Sequence, residues 1–347
     1  MVAIGCLAAG CGSLGGSRAI SLAASSGPSP HVEVGIVEEA EGAGVRRRLD
    51  VYDVSPEGLA PRARLDALAL LGSTGRGEIG SFRAYEADDR SRVHSGLVAH
   101  GADEEGRQGA PVLLATKHGY ASAQADRVIG LDAFAKQAWQ LPLSPASPAC
   151  STDAMVEVDA QASPSGRWIC VARTARAPAG ARGKPCSASR VTLGLVEANG
   201  SARASHAFDW EAGEAGIAQC AVRDDATMLL LLPSLIAGRT RSASRLVSAT
   251  GSVQALTELG GAAIDAAPVG ERWAVLLHRV GEVGTTPWLV GGRAPGQRLL
   301  GNGEHALVPL PGALIVVSVA LPDRGALEVH RFDARGRRLA EDRVDLD

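Results

Sequence analysis

An all-β chain, closing as a β-propeller of six or seven four-stranded blades, is the fold class this sequence predicts, and three observations predict it. The first is punctuation: 42 Gly and 18 Pro are spread over 347 residues, which cuts the chain into pieces too short for long helices and right for strands and turns. The second is a series of short runs that are apolar at consecutive positions. The third is a set of glycine turns that return at nearly constant spacing.

The apolar runs are Pro111–Ala115, Arg167–Ala172, Thr227–Leu232, Arg272–Leu277 and Ala313–Val319. A strand covered on both faces loses the apolar–polar alternation of a half-wet strand, because neither side meets water. As helices these runs would make only about one and a half turns. Each therefore reads as an inner strand of a closed ring.

The turns are Ala198–Ser201, Ala249–Ser252, Ala294–Gln297 and Ala334–Arg337, with Gly200, Gly251, Gly296 and Gly336 supplying the positive φ that tight hairpins need. Their glycines recur about every 40 to 50 residues, the length of one four-stranded blade. Ala87–Arg90 and Asp132–Ala135 occupy comparable places, and Glu38–Gly44 reads as another such turn. One unit alone would leave an apolar face in water, so a ring of units is what buries it. Ser252–Leu259 fits a strand or a short helix equally well.

Ser163-Pro164-Ser165-Gly166-Arg167-Trp168 resembles the turn-then-strand signature of the WD-like propeller repeats. These occur in the periplasmic Tol-associated propeller and in the propeller domains of prolyl oligopeptidases. Pro268–Trp273 and Pro309–Gly312 carry parts of the same pattern, and Ser165 stands where the family usually has Asp. The resemblance covers about Ala110 to Asp347. It implies a fold and brings no catalytic residues. The α/β-hydrolase domain of the oligopeptidases needs a G-x-S-x-G elbow, which this sequence lacks.

The N-terminus supports two readings. Ala8-Ala9-Gly10 directly before Cys11 matches a lipoprotein processing site, where small residues fit the peptidase and the Cys11 thiol takes the lipid. A charged leading segment is missing from it. Alternatively Gly10, Gly12 and Gly15 form a G-x-G-x-x-G fingerprint, followed by a helix over Ser17–Ser25 and a strand ending at Glu38, which would hold a ribose. The alternating strands and helices that a dinucleotide fold requires do not follow. The expected organisation is residues 1–11 as an export or lipoprotein signal-like segment, 12–30 as a linker and 31–347 as the propeller.

Cys150, Cys170, Cys186 and Cys220 remain once Cys6 and Cys11 are assigned to export. An even count in an exported chain suggests disulfides, with all three pairings open and buried free thiols as the alternative. No C-x-x-C or H-x-x-x-H spacing marks a metal or redox site, so no metal and no cofactor is expected. His278, inside an apolar run, is the histidine that could face a central channel. The acid pairs Asp88-Asp89, Asp103-Glu104-Glu105 and Asp224-Asp225 read as solvated loops rather than calcium sites, because the D-x-D-x-D-G pattern is absent.

Net charge is −3 with both signs mixed, which argues against nucleic acid as a partner. Aromatics at 3% leave few stacking platforms for bases or sugars, so Trp139, Trp168, Trp210, Trp273 and Trp288 are assigned to blade packing. No apolar run reaches the roughly 20 residues of a membrane span. These readings together describe an extracytoplasmic monomer, a binding or scaffold module at the bacterial envelope. It would meet a protein or envelope partner through the loops Cys150–Ser163 and Arg173–Ser189 and touch the membrane only through a lipid anchor. The alternatives are a propeller-type hydrolase or lyase with its site in the central channel, and a cytoplasmic NAD(P)-binding protein using the N-terminal glycines.

Overall fold

The computed structural model describes residues 18–40, 44–66, 112–133, 136–144, 155–176, 189–210, 217–236, 239–256, 258–282, 284–292, 296–320 and 325–346. They form six four-stranded antiparallel sheets, each built from strands consecutive in the chain. Blade 1 holds β1 (Arg18–Ser25), β2 (His31–Ala40), β3 (Gly44–Ser55) and β4 (Gly58–Asp66); blade 2 holds β5 (Val112–Thr116), β6 (Gly119–Ala123), β7 (Arg127–Leu131) and β8 (Gln137–Pro142). Blade 3 comprises β9 (Met155–Ala162), β10 (Trp168–Arg176), β11 (Ser189–Glu197) and β12 (Ala202–Trp210). In blade 4 these are β13 (Gln219–Val222), β14 (Met228–Ile236), β15 (Arg239–Val247) and β16 (Val253–Ala255). Blade 5 runs through β17 (Ala262–Val269), β18 (Arg272–His278), β19 (Thr286–Val290) and β20 (Gln297–Arg298). Blade 6 follows with β21 (His305–Leu310), β22 (Ala313–Val319), β23 (Ala326–Asp333) and β24 (Arg338–Asp345).

First strands of successive blades touch one another from β5 through β21 and back to β1, so they lie nearest the axis. Burial then falls outward. In blade 3, β10 is buried at every position but its last, whereas β12 alternates exposed and half-buried residues. Neighbouring blades press apolar faces together. Cys170, Leu193 and Leu195 of blade 3 meet Cys220, Met228 and Leu230 of blade 4, and the same kind of layer joins blades 2 to 3, 4 to 5 and 5 to 6. Blade 6 packs Val308, Ile315 and Val317 onto Val32, Val34 and Ile36 of blade 1, which closes the ring through side chains without exchanging a strand. Each buried Leu or Ile in these layers contributes about 1.5–3 kcal/mol by leaving water.

Four of the five apolar runs are second strands: β10, β14, β18 and β22. Pro111–Ala115 overlaps β5, a first strand. They are sealed on both sides as expected, but four lie one position out from the axis. The second strand is the one with a blade against each face and a strand on each edge, so its sequence loses alternation. The described residues of Ser252–Leu259 supply β16 and no helix. Ser17–Ser25, a helix in the dinucleotide reading, is a strand from Arg18, and residues 12–30, expected as linker, thereby contribute the innermost strand of blade 1.

Candidate functional site

Antiparallel order within each blade sorts the connections. Links from first to second and third to fourth strands emerge on one face, and links from second to third and from blade to blade emerge on the other. The first face is made of tight turns with a repeated bond pattern. The N–H of Asp132, Glu197, Ser248 and Asp333 donates to the carbonyl four residues on, at 2.9 Å each time. Gly200, Gly251 and Gly336 then fold the turn back with φ of 90°, 93° and 82°. The turns of blades 3 and 6 lean on the blade before them. Trp139 Nε1 donates to Ala198 O (3.0 Å) and Gln297 Nε2 to Gly336 O (3.3 Å).

Between first and second strands, the Ser163–Trp168 turn is tied to the next blade. Asp224 Oδ1 accepts from Ser165 N (3.0 Å) and Ser165 Oγ (2.5 Å), and Trp168 Nε1 donates to Asp224 O (3.1 Å). Asp225 Oδ1 accepts from Thr227 N at 2.9 Å, with Arg223 3.0 Å from its other oxygen. Both carboxylates of this acid pair thus serve as turn caps. Asp88-Asp89 and Asp103-Glu104-Glu105 lie outside the described residues, as does the turn at Ala87–Arg90.

The strand ends joined by residues 67–111, 145–154 and 177–188 open on the opposite face, while those residues themselves lie outside the described ones. The two predicted binding loops are trimmed here. Met155–Ala162 of the first is β9, and Arg173–Arg176 of the second ends β10, with Arg173 3% exposed and donating to Ala125 O (3.1 Å) and Ser144 O (2.7 Å). Burial lowers the Arg173 pKa, offset in part by Asp126.

The axis is crossed by hydrogen bonds. Ser26 Oγ of blade 1 donates to Ala162 O of blade 3 (2.8 Å), and Gln161 Nε2 of blade 3 donates to Ala266 O of blade 5 (2.7 Å). Asp159 Oδ2 accepts from Cys220 N at 2.8 Å. With its amide turned as its neighbours require, Gln219 donates to Ile264 O (3.1 Å) and Asp159 Oδ1 (3.3 Å). Ile264 sits at the irregularity where β17 skips a residue against β18, which leaves its carbonyl outside that ladder. Polar side chains on the first strands are thus committed to holding blades 3, 4 and 5 together. His278, the channel candidate, is exposed at the end of β18 and bonds Gly284 O through Nδ1 (2.9 Å), fastening a loop on the long-connection face.

A polar cluster that sequence reasoning missed lies on the blade 6 face turned to blade 5. His305, Ser318 and Glu328 stand opposite one another across β21, β22 and β23, and His330 stands opposite Glu341 on β24. Ser318 Oγ is 3.1 Å from His330 Nε2, and Glu328 Oε2 is 3.4 Å from it. Arg338 is 2.6 Å from His330 Nδ1. A guanidinium only donates, so Nδ1 accepts and the ring proton sits on Nε2, toward Ser318 and Glu328. Glu328, His330 and Glu341 are the one group among the described residues whose ligand atoms gather within 4.8 Å of one another as a metal site would require. With both ring nitrogens engaged, the cluster acts as a charge network. Burial, then the Arg338 charge, lowers the His330 pKa against the opposing pull of Glu341 and Glu328. Burial pushes His305 down to about 4; its Nδ1 lies 3.3 Å from Thr285 Oγ1. The strand order that assembles this cluster places residues of four strands side by side, a relation the linear sequence does not display.

On the outer strands of blade 1, a groove of about 320 Å³ is lined by Asp50, Tyr52, Pro61, Arg62 and Arg64. Asp50 is held there between Arg48 and Arg64 at 3.0 Å each.

Cys170 and Cys220 face each other across blades 3 and 4 as buried thiols, with Sγ atoms 2.7 Å apart. Cys150 and Cys186 lie outside the described residues, as do Cys11, Gly10, Gly12 and Gly15. Glu38 lies on β2, opposite Arg18 and Arg46 of the flanking strands. A strand after the glycines presents no helix N-terminus to a pyrophosphate. All five tryptophans serve packing: Trp273 is fully buried, Trp168 and Trp210 are buried in the blade 3–4 layer, and Trp139 and Trp288 lie half-buried against neighbouring layers.

No protein-family model and no curated protein sequence matches the chain. Solved structures do. A protein described as a TolB from Agrobacterium tumefaciens aligns at 12% identity and TM-score 0.38, covering 67% of this chain and 80% of that one. Penicillium chrysogenum α-L-arabinanase complexed with arabinobiose aligns at 10% identity and TM-score 0.40, covering 94% and 93%. Pyrococcus horikoshii acylaminoacyl peptidase aligns at 10% identity and TM-score 0.40, where this chain spans 90% of itself and 44% of that protein. Function has to be argued from the chain's own geometry.

Proposed function

We infer that this chain is a binding or scaffold module, an exported propeller that presents one face to a protein or envelope partner and is tethered through a lipid on Cys11. The observation that carries this reading is the contrast between the two faces. Tight turns cover one of them and are tied to neighbouring blades, while the strand ends that the longest connections join open on the other. Loops held on a rigid frame are where recognition is placed, because they vary without disturbing the core. The bonds across the axis favour the same reading, since the polar side chains of the first strands are used to lock blades together. The near-neutral, mixed charge suits a protein surface better than a polyanion.

The address rests on Ala8-Ala9-Gly10 before Cys11, and no helix among the described residues is long and apolar enough to cross a membrane. A ring that closes on itself needs no second copy, which supports a monomer. A photo-reactive amino acid placed at Ala181 or Ala215, within the connections between β10 and β11 and between β12 and β13, should give a discrete adduct in living cells. The same group at Asn199 or Thr250, on the turn face, should give none. Adducts from both faces, or from neither, would overturn the binding reading. Membrane association that survives Cys11→Ser would separately overturn the anchor.

A further inference from the structure

We propose that Cys170 and Cys220 form a disulfide that staples blade 3 to blade 4, and that it forms while the chain folds. The two side chains lie at the centre of the layer between these blades, 0% and 1% exposed, with sulfurs 2.7 Å apart. Both backbones are pinned. Cys170 is paired on one side with Gln161 of β9 and on the other with Leu195 of β11, and Cys220 is paired with Leu230 while its N–H is held by Asp159. They are the two cysteines among the described residues. The two therefore meet in register each time the blades dock. The position also selects one pairing out of the three that composition allowed, leaving Cys150 and Cys186 out of this bond.

The reaction is thiol–disulfide exchange with an external disulfide of the glutathione or oxidoreductase class. One cysteine thiolate attacks a sulfur of that disulfide, displacing one thiol. The second cysteine then attacks the mixed disulfide and displaces the other. Two cysteine thiols are oxidised and one external disulfide is reduced to two thiols, so protons and electrons balance. Burial sets the timing. An external disulfide cannot reach either sulfur once the blades are packed, so exchange takes place before docking is complete. The finished bond is shielded from reductants for the same reason. An oxidising compartment fits the address proposed above, but the bond itself does not depend on that address.

The test refolds reduced, unfolded chain in a glutathione redox buffer, quenches it with acid and maps tryptic peptides without reduction. The expected product joins Trp168–Arg173 to Ala204–Arg223, and it resists mild reductant until urea is added. Free thiols at both positions after refolding, or Cys170 linked to Cys150 or Cys186, would overturn the proposal. A variant with Cys6, Cys11, Cys150 and Cys186 all changed to Ser keeps only this pair. Its oxidised form should melt about 5 °C above its reduced form, as expected for closing a loop of this length in a chain of this size. Equal melting points would overturn the stapling role. Because the refolding is done in a tube, its outcome is independent of whether Cys11 carries a lipid.

Discussion

His305 and His278 show how differently one side-chain type fares at two strand ends. His278 closes an apolar run, yet it is exposed and ties down a loop; His305 opens β21 and is 8% exposed among Thr285, Ser318 and His330. The burial of His305 comes from blade 5 lying over it, which no local pattern announces. Its folded pKa of about 4 lies below the ordinary 6.5, so folding favours the neutral ring. The stability this contributes is complete above about pH 6.5 and is lost as pH falls toward 4, up to about 3 kcal/mol. Urea unfolding measured from pH 7.5 to pH 4 should show that decline, and His305→Gln should flatten it.

The turns were more legible than the side chains they carry. Glycine spacing located the links between third and fourth strands in blades 3, 4 and 6, where Gly200, Gly251 and Gly336 take the positive φ that suits glycine. What spacing did not reveal is the second demand on those glycines. A methyl group at Gly200 would come within 2.8 Å of the Trp139 ring of the preceding blade, whereas one at Gly281 would meet nothing within 4 Å. Both have φ near +90°. Gly200→Ala should therefore cost roughly 2–3 kcal/mol in chemical denaturation, and Gly281→Ala about 1 kcal/mol, the conformational part alone. The Ser163–Trp168 turn was found by its resemblance to propeller repeats, with Ser165 as the departure. Asp224, from the matching turn of blade 4, brings the carboxylate to Ser165. A residue 59 positions away along the chain supplies it, and that is why the sequence alone left it unread.

The propeller class was readable because closure of a ring leaves a periodic trace: doubly covered second strands and equidistant turns. Blade count was bracketed at six or seven by adding Ala87–Arg90, Asp132–Ala135 and Glu38–Gly44 to the four glycine turns, while the described residues build six. The candidate site was read only in outline, since long loops were named but the blade 5–6 charge cluster and the bonds across the axis depend on strands far apart in sequence. Every blade is continuous in the chain, so the joint at which the ring is left open can be moved without changing the order of blades. A circular permutant that joins Asp347 to Arg18 through a short linker and opens between Trp210 and Gln219 should keep the β circular dichroism spectrum and unfold cooperatively; a collapse to partly folded blades would contradict this. At five joints a covalent link passes from one blade to the next. At the sixth, between blades 6 and 1, apolar side chains meet and Arg331 of β23 donates to Pro56 O of the β3–β4 turn. Tension that pulls blade 1 from blade 6 is therefore borne by that layer and one hydrogen bond, with no strand pairing behind them. The molecule is a bracelet with a greased clasp, and under load it springs open there before any blade unravels.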